Sequence, residues 1–432
     1  MASTRGTRTA WLAGVLLVLG LPAGAQPTAP PESPPSPGSA DRPGQFRLGP
    51  VYLTPSLHIG NIGVDTNVFF TSEERERDFS ISGGPGLDIV LPVKRRLRFL
   101  AGGTLDYLYF AEQESERRLT GSGRGRADWR GARSAMGGEA SWARIFSRPS
   151  FEVDDRIQQD ERRAGADLRL RPGGGRFTLA TDFTLTHIDI EEGQVYLGSD
   201  LARTLNREEY RTRLGLAYAL TPKTAFVVEG DYQQDRFESE PLRDADSNRL
   251  AVGFRVVSTT RLSGRALGGI RSFRPRDRPR HDLTVPYADV DLAYAVGRST
   301  HLHAGYGRDL TYSAFTSLGP TPTLRNEDAR FGFDQRIVAN LWLRASVTLN
   351  RFRSDGPVVV QIPDEGTVTA VRDDEVWQGS ADLGWQFPFE LRLGVGVFYA
   401  ERQSTISYFG VEGLRVGLTV TYTGTPSVNW RP

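Results

Sequence analysis

Segments of about ten residues, in which apolar and charged side chains alternate, recur along most of this chain, followed in turn by a tight turn and a charged loop. From Leu119 to Arg130, Gly121, Gly123, Ala127 and Trp129 fall on one face, and Arg124, Arg126, Asp128 and Arg130 on the other. The parity returns from Tyr210 to Leu220, where Tyr210, Leu214, Leu216, Tyr218 and Leu220 oppose Arg211 and Arg213. It returns again from Leu391 to Tyr399, where Leu391, Leu393, Val395, Val397 and Tyr399 oppose Arg392. Side chains alternate across a strand with period two, so each segment offers an apolar stripe to something large and oily. A soluble sandwich would more often set a buried face against a mixed short-polar one. Lipid outside and water inside fit this pattern, and the expected fold is all-β: a transmembrane antiparallel up-and-down β-barrel in the bacterial outer membrane.

The ends carry a different message. Arg5 and Arg8 precede an apolar run from Ala10 to Leu21 and a small-residue site at Ala23-Gly24-Ala25, which reads as a secretory signal over 1–25. Residues 26–45 contain seven prolines among small and polar residues and read as an extended or disordered periplasmic tether, leaving 46–432 as one barrel. No stretch after the signal approaches the roughly 20 apolar residues of a spanning helix. The chain has no cysteine, which excludes disulfides, thiolate metal sites and cysteine nucleophiles. With 53 basic and 52 acidic residues there is no global field to attract nucleic acid.

Roughly 18 strands can be counted, from Leu53–Ile62 to Val411–Tyr422, and an even total is usual for single-chain bacterial barrels. Short connections (Pro92–Arg96, Gly131–Ser134, Pro172–Gly175, Thr221–Lys223, Gly297–Ser299 and Pro388) alternate with long ones (Ser72–Asp78, Ser147–Arg162, Ile190–Asn206, Arg274–Asp282 and Ser354–Asp374). Short periplasmic turns and long external loops put both termini in the periplasm. Aromatic girdles are expected at Trp129, Phe177, Tyr218, Tyr294, Phe387 and Tyr422 on the turn side, and at Tyr107, Tyr109, Tyr232, Tyr312, Trp377 and Tyr399 on the loop side. No helical period is visible after Phe46.

The stretch Gly63-Val64-Asp65-Thr66-Asn67-Val68-Phe69 resembles the glycine-x-aspartate-x-asparagine-x-phenylalanine opening of the putative beta-barrel porin type two family. The likeness continues as strand and turn rhythm from about Phe46 onward. It implies an outer-membrane barrel and, since some members accompany exopolysaccharide or capsule secretion, a conduit role with periplasmic export components as partners. The family pattern defines no catalytic residues. The chain departs from the usual terminal aromatic by ending Trp430-Arg431-Pro432, so Tyr422 or Trp430 would have to serve as the insertion signal.

Parity assigns a mixed set of charges to the lumen: Arg98, Asp106, Arg124, Arg126, Asp128, Arg130, Asp167, Arg169, Asp182, Arg211, Arg213, Glu229, Asp231, Arg249, Arg255, Arg265, Arg271, Asp289, Asp291, Arg330, Asp334, Arg336, Arg344, Arg392 and Arg415. Such a surface would bias passage toward anions or hydrogen-bonding sugars, or would serve as cross-strand ion pairs that support the wall. His301 and His303 share a face in an H-x-H arrangement, but no third zinc ligand is visible and no metal or cofactor is expected. His187 with Asp189, or His281 with Asp282, lacks a serine in a nucleophile context, so no enzyme is expected. Arg274, Arg276, Arg278 and Arg280 form a basic external loop suited to lipopolysaccharide phosphates or an acidic polysaccharide, or simply solvated.

The function expected from these features is a porin-like conduit for small polar solutes or a polysaccharide. The competing expectation is a plugged barrel acting as a surface structural or adhesion protein through its long loops. Ile190–Asn206 and Ser354–Asp374 are the longest candidates for a constriction.

Overall fold

The computed structural model describes residues 46–423, apart from 73–74, 151, 257–260, 278–281, 318–322, 364 and 388–390. The signal segment, the proline-rich tether, the tail with Trp430 and the turn at Pro388 therefore lie outside the described residues. The wall is a closed antiparallel ring of 18 strands. The first six are β1 (Val51–Asp65), β2 (Asp78–Val93), β3 (Leu97–Phe110), β4 (Arg118–Arg130), β5 (Ser134–Ser147) and β6 (Ile157–Leu170). Then come β7 (Phe177–Ile190), β8 (Arg207–Ala219), β9 (Thr224–Phe237), β10 (Ala245–Val256), β11 (Leu262–Pro275) and β12 (Leu283–Val296). The last are β13 (Thr300–Tyr312), β14 (Thr323–Arg336), β15 (Leu341–Ile362), β16 (Gly366–Gln386), β17 (Leu391–Ser404) and β18 (Val411–Thr423). Each strand pairs with its sequence neighbours, and β18 closes on β1 in a register running from Ser56 opposite Thr423 to Asp65 opposite Arg415.

The parity that defines the strands also turns their apolar sides outward. Leu214, Leu216, Leu393, Val395 and Leu418 are exposed on the outer face, an arrangement that makes sense only in lipid. In β1 the outward residues change from odd to even, Leu57 to Val64, because a bulge near Gly60 shifts the register against both neighbours. Gly264 sits at φ +134, where a Cβ would come within 2.0 Å of the Asp291 carbonyl, so only glycine lets β11 and β12 approach there.

Three expectations need correction. Ser354–Asp374 is not a loop but the outer part of a hairpin: β15 and β16 run past the wall to pair from Pro357 opposite Val371 to Ile362 opposite Gly366. The valines at 358–360 supply a β-prone apolar run there. Ile190–Asn206 contains a single short helix, α1 (Leu201–Leu205), capped by the Asp200 carboxylate accepting from the Arg203 amide at 3.1 Å. Tyr312 is not an interface girdle residue but points inward, with its ring 4.9 Å from that of Phe237.

Candidate functional site

Hydrogen-bonded pairs on the lumen face fall into two regions of different wetness. Across β2–β6 the charges form a ladder that is exposed at Arg124, Asp88, Glu139 and Asp167 and closed at the Arg98–Asp128 pair. Arg98 pairs with Asp128 at 2.7 Å, and Arg124 with Asp88 at 3.0 Å. Arg126 is a hub, reaching Asp128 at 2.7 Å, Glu139 at 2.9 Å and Asp167 at 2.6 Å. The Arg124 and Asp88 side chains are 69% and 54% exposed although they face the inside of the ring, so water reaches them there. Asp106 and Arg169 share this face on β3 and β6, and Arg130 lies at its turn end. On the far side, Arg344 reaches Asp334 at 2.6 Å, Arg330 reaches Asp328 at 2.8 Å, and Arg392 stacks 4.7 Å from the Trp342 ring. Arg336 ends β14 at the turn side, and Asp334 also holds His303 at 3.1 Å.

The lumen face of β8–β13 is packed instead. Arg211 bonds Asp231, which Arg213 and Arg249 also approach at 3.9 and 3.6 Å, and the Asp231 side chain is 0% exposed. Arg213 lies 3.7 Å from Asp182, Arg255 lies 3.5 Å from Glu229, Arg265 pairs with Asp289 at 2.5 Å, and Arg271 pairs with Asp309 at 2.7 Å. Asp291 shares the inward parity of Asp289. Between these pairs Val227, Ala251, Leu267 and Tyr287 form a small apolar cluster, so this arc folds inward and fills itself.

The external mouth is covered by loops with a core of their own. Val153, Tyr196, Leu201, Phe315, Val358, Val360, Ile406 and Phe409 come from separate connections and are buried together. The 17-residue segment Ile190–Asn206 joins this cap, as does the β15–β16 hairpin; the β5–β6 loop, described at 148–150 and 152–156, crosses to the opposite side of the ring. There Glu152, 1% exposed, accepts from Ser313 Oγ at 3.0 Å and from the Ala314 amide at 2.6 Å. Arg372 pairs with Asp374 at 2.6 Å and lies 3.6 Å from the Phe409 ring centre, while Arg402 reaches Asp154 at 2.7 Å. Burial raises the Glu152 carboxyl above its ordinary range, against the pull of Arg372.

Parity alone did not single out Asp88, Glu139 or Asp309, although each lies on the inward face of its strand. The cap residues Glu152, Asp154, Arg372 and Arg402 had no signal in a single segment, because their partners come from distant connections. Arg415 meets Asp65 at 2.7 Å where the ring closes. Of the basic loop, Arg274 pairs with Asp282 at 2.9 Å and Arg276 is exposed, while Arg278, Arg280 and His281 lie outside the described residues. His187 faces Glu208 and Glu238 at 3.8 and 3.7 Å rather than Asp189. Among the described residues no group of three or more potential metal ligands comes together.

A closed ring of amphipathic strands with an apolar exterior, charged interior, short turns at one end and long loops at the other defines a porin-like outer-membrane β-barrel. The profile of the family described as Putative beta-barrel porin 2 matches residues 42–423, and the chain belongs to that family. No curated protein shows detectable sequence similarity to it. Among solved structures, it is similar to the siderophore receptor PirA from Pseudomonas aeruginosa, with 10% identity and a TM-score of 0.45 over 88% of this chain and 81% of that one. PirA from Acinetobacter baumannii gives 10% identity and 0.43, over 81% of this chain and 62% of that one. The copper transporter OprC gives 12% and 0.46, over 87% and 66%. The chain thus spans less than two thirds of the length of two of these three proteins.

Proposed function

We propose that the protein is a non-catalytic conduit for small polar solutes whose external mouth is held shut by the interlocked loops until the 148–156 crossing is displaced. The observation that carries this reading is the ladder of Arg124, Asp88 and Arg126 inside the ring, since exposed charged side chains line the arc that a polar solute would follow. Guanidinium groups along that arc suit carboxylates, phosphates and sugar hydroxyls. Exopolysaccharide is the narrower cargo, inferred from the family resemblance, with periplasmic export components at the turn end as its suppliers. A surface structural role is the second reading, favoured by the apolar core of the cap, which is unusual for loops that merely fringe a pore.

Swelling of proteoliposomes in isosmotic arabinose separates the two. The conduit reading expects slow swelling with the full protein and rapid swelling when residues 149–155 are replaced by a short glycine-serine linker. Equal impermeability of both inserted proteins would instead leave the external loops as the working part.

A further inference from the structure

Beneath the cap, between the 148–156 crossing and the outer ends of β1, β16, β17 and β18, lies a small, partly open pocket of about 80 Å³. Phe398 and Val376 give it an apolar wall, joined by Phe70 from the first external loop, and Gln378 adds an amide. Three arginines reach it: Arg148, Arg402 and Arg415.

Two of these guanidiniums are neutralised, Arg402 by Asp154 at 2.7 Å and Arg415 by Asp65 at 2.7 Å. Arg148 is different. Its Nε donates to the Asp154 carbonyl at 2.6 Å and its Nη2 to the Val68 carbonyl at 3.0 Å, and among the described residues it has no ion pair. The nearby Arg156 is already held by Glu116 at 3.0 Å, with Asp65 at 3.8 Å. Among the lining residues three arginines face two aspartates, and Asp155, next to the lining, also feels the Arg148 charge. Desolvation, then the Arg156 charge, lowers the Arg148 guanidinium to about 9, so it remains a cation at neutral pH while its charge is poorly compensated.

We infer that this pocket binds a small organic carboxylate with one apolar face, the carboxylate on Arg148 and the hydrocarbon side against Phe398 and Val376. A guanidinium offers parallel donors matched to a carboxylate, and a ligand carboxylate would give Arg148 the ion pair it does not have among the described residues. The inference holds whether or not the barrel conducts.

Calorimetric titration of the full-length refolded protein in a neutral detergent tests this with three probes. Benzoate carries both features, benzamide lacks the charge, and inorganic phosphate lacks the apolar face. Benzoate is expected to saturate one site at least about tenfold more tightly than either of the others. Arg148→Gln should remove that advantage without altering benzamide, and Phe398→Leu should weaken benzoate and benzamide together. Lys223→Gln, on the exposed turn at the opposite end of the barrel, should change neither. Heat-modifiable electrophoretic mobility verifies that each variant is folded. Benzoate binding no tighter than benzamide, or unchanged in Arg148→Gln, would overturn the site; phosphate binding as tightly as benzoate would overturn the apolar contact.

Discussion

The Tyr312 hydroxyl donates to Asp235 Oδ2 at 2.7 Å, although β10, β11 and β12 lie between the strands that carry them. Such a contact across a circular wall of this size is out of reach, so β8–β13 must curl inward at the outer end. Arg207, 5.6 Å from the Tyr312 ring, and Phe273, 5.8 Å from it, secure the same fold. Tyr312→Phe removes the donor and leaves the Asp235 carboxylate with Gln233, which donates to Asp235 Oδ1 at 2.8 Å. The expected cost is about 1.5–3 kcal/mol, the range for a hydrogen bond to a charged group. Denaturant unfolding of the refolded barrel measures it, and an unchanged midpoint would mean that the contact does not hold the curl.

The wet and dry arcs should respond differently to the same change. Arg126→Gln together with Arg124→Gln frees Asp88, Glu139 and Asp167 while Asp128 keeps Arg98, so ion selectivity in the cap-trimmed barrel should move toward cations. Arg249→Gln removes a guanidinium that is only 5% exposed, and should lower stability with little effect on selectivity. Reversal potentials across a salt gradient decide between them; a shift in Arg249→Gln as large as in the ladder variant would contradict a packed arc.

The wall was legible because period-two alternation is a local property: Arg211 and Leu214 reveal their faces within one segment. The curl was not legible. It depends on Tyr312 meeting Asp235, and parity placed Tyr312 with the outward aromatics because nothing in its own strand marks the inward lean. The cap was only partly legible, since the loops were recognisable by length and charge but Glu152 finds its acceptor role through Ser313 and Ala314 on the other side of the ring. Valines 358–360 could have signalled that the longest charged connection continues as strand, had their β-propensity been weighed above the flanking Asp355 and Asp364.

Glu152 sets a pH dependence whose sign follows from its burial. Its folded-state pKa is raised above the ordinary 4.5, so the cap holds the proton more tightly than the released loop does. This group therefore costs the cap stability above the folded pKa, and that cost is relieved as pH falls through the folded value toward 4.5. Arg372, Asp374 and Arg243 are charged groups that face it: the two arginines oppose the rise and Asp374 adds to it. Glu152→Gln should flatten this part of the profile, while Glu152→Ala should weaken the cap by about 1–3 kcal/mol by stranding the Ala314 amide. Hydrogen exchange of residues 148–156, corrected for intrinsic rates, provides the readout. Protection in the wild type that is no greater at mildly acid than at neutral pH would refute the assignment.

Single-channel recording in planar bilayers tests the closed cap most directly. The wild-type barrel should show rare, small openings, and the barrel with residues 149–155 replaced by a glycine-serine linker should show a large steady conductance. A wild-type barrel that conducts steadily at the same level as the trimmed one would contradict the account, because the loops would then not seal the mouth.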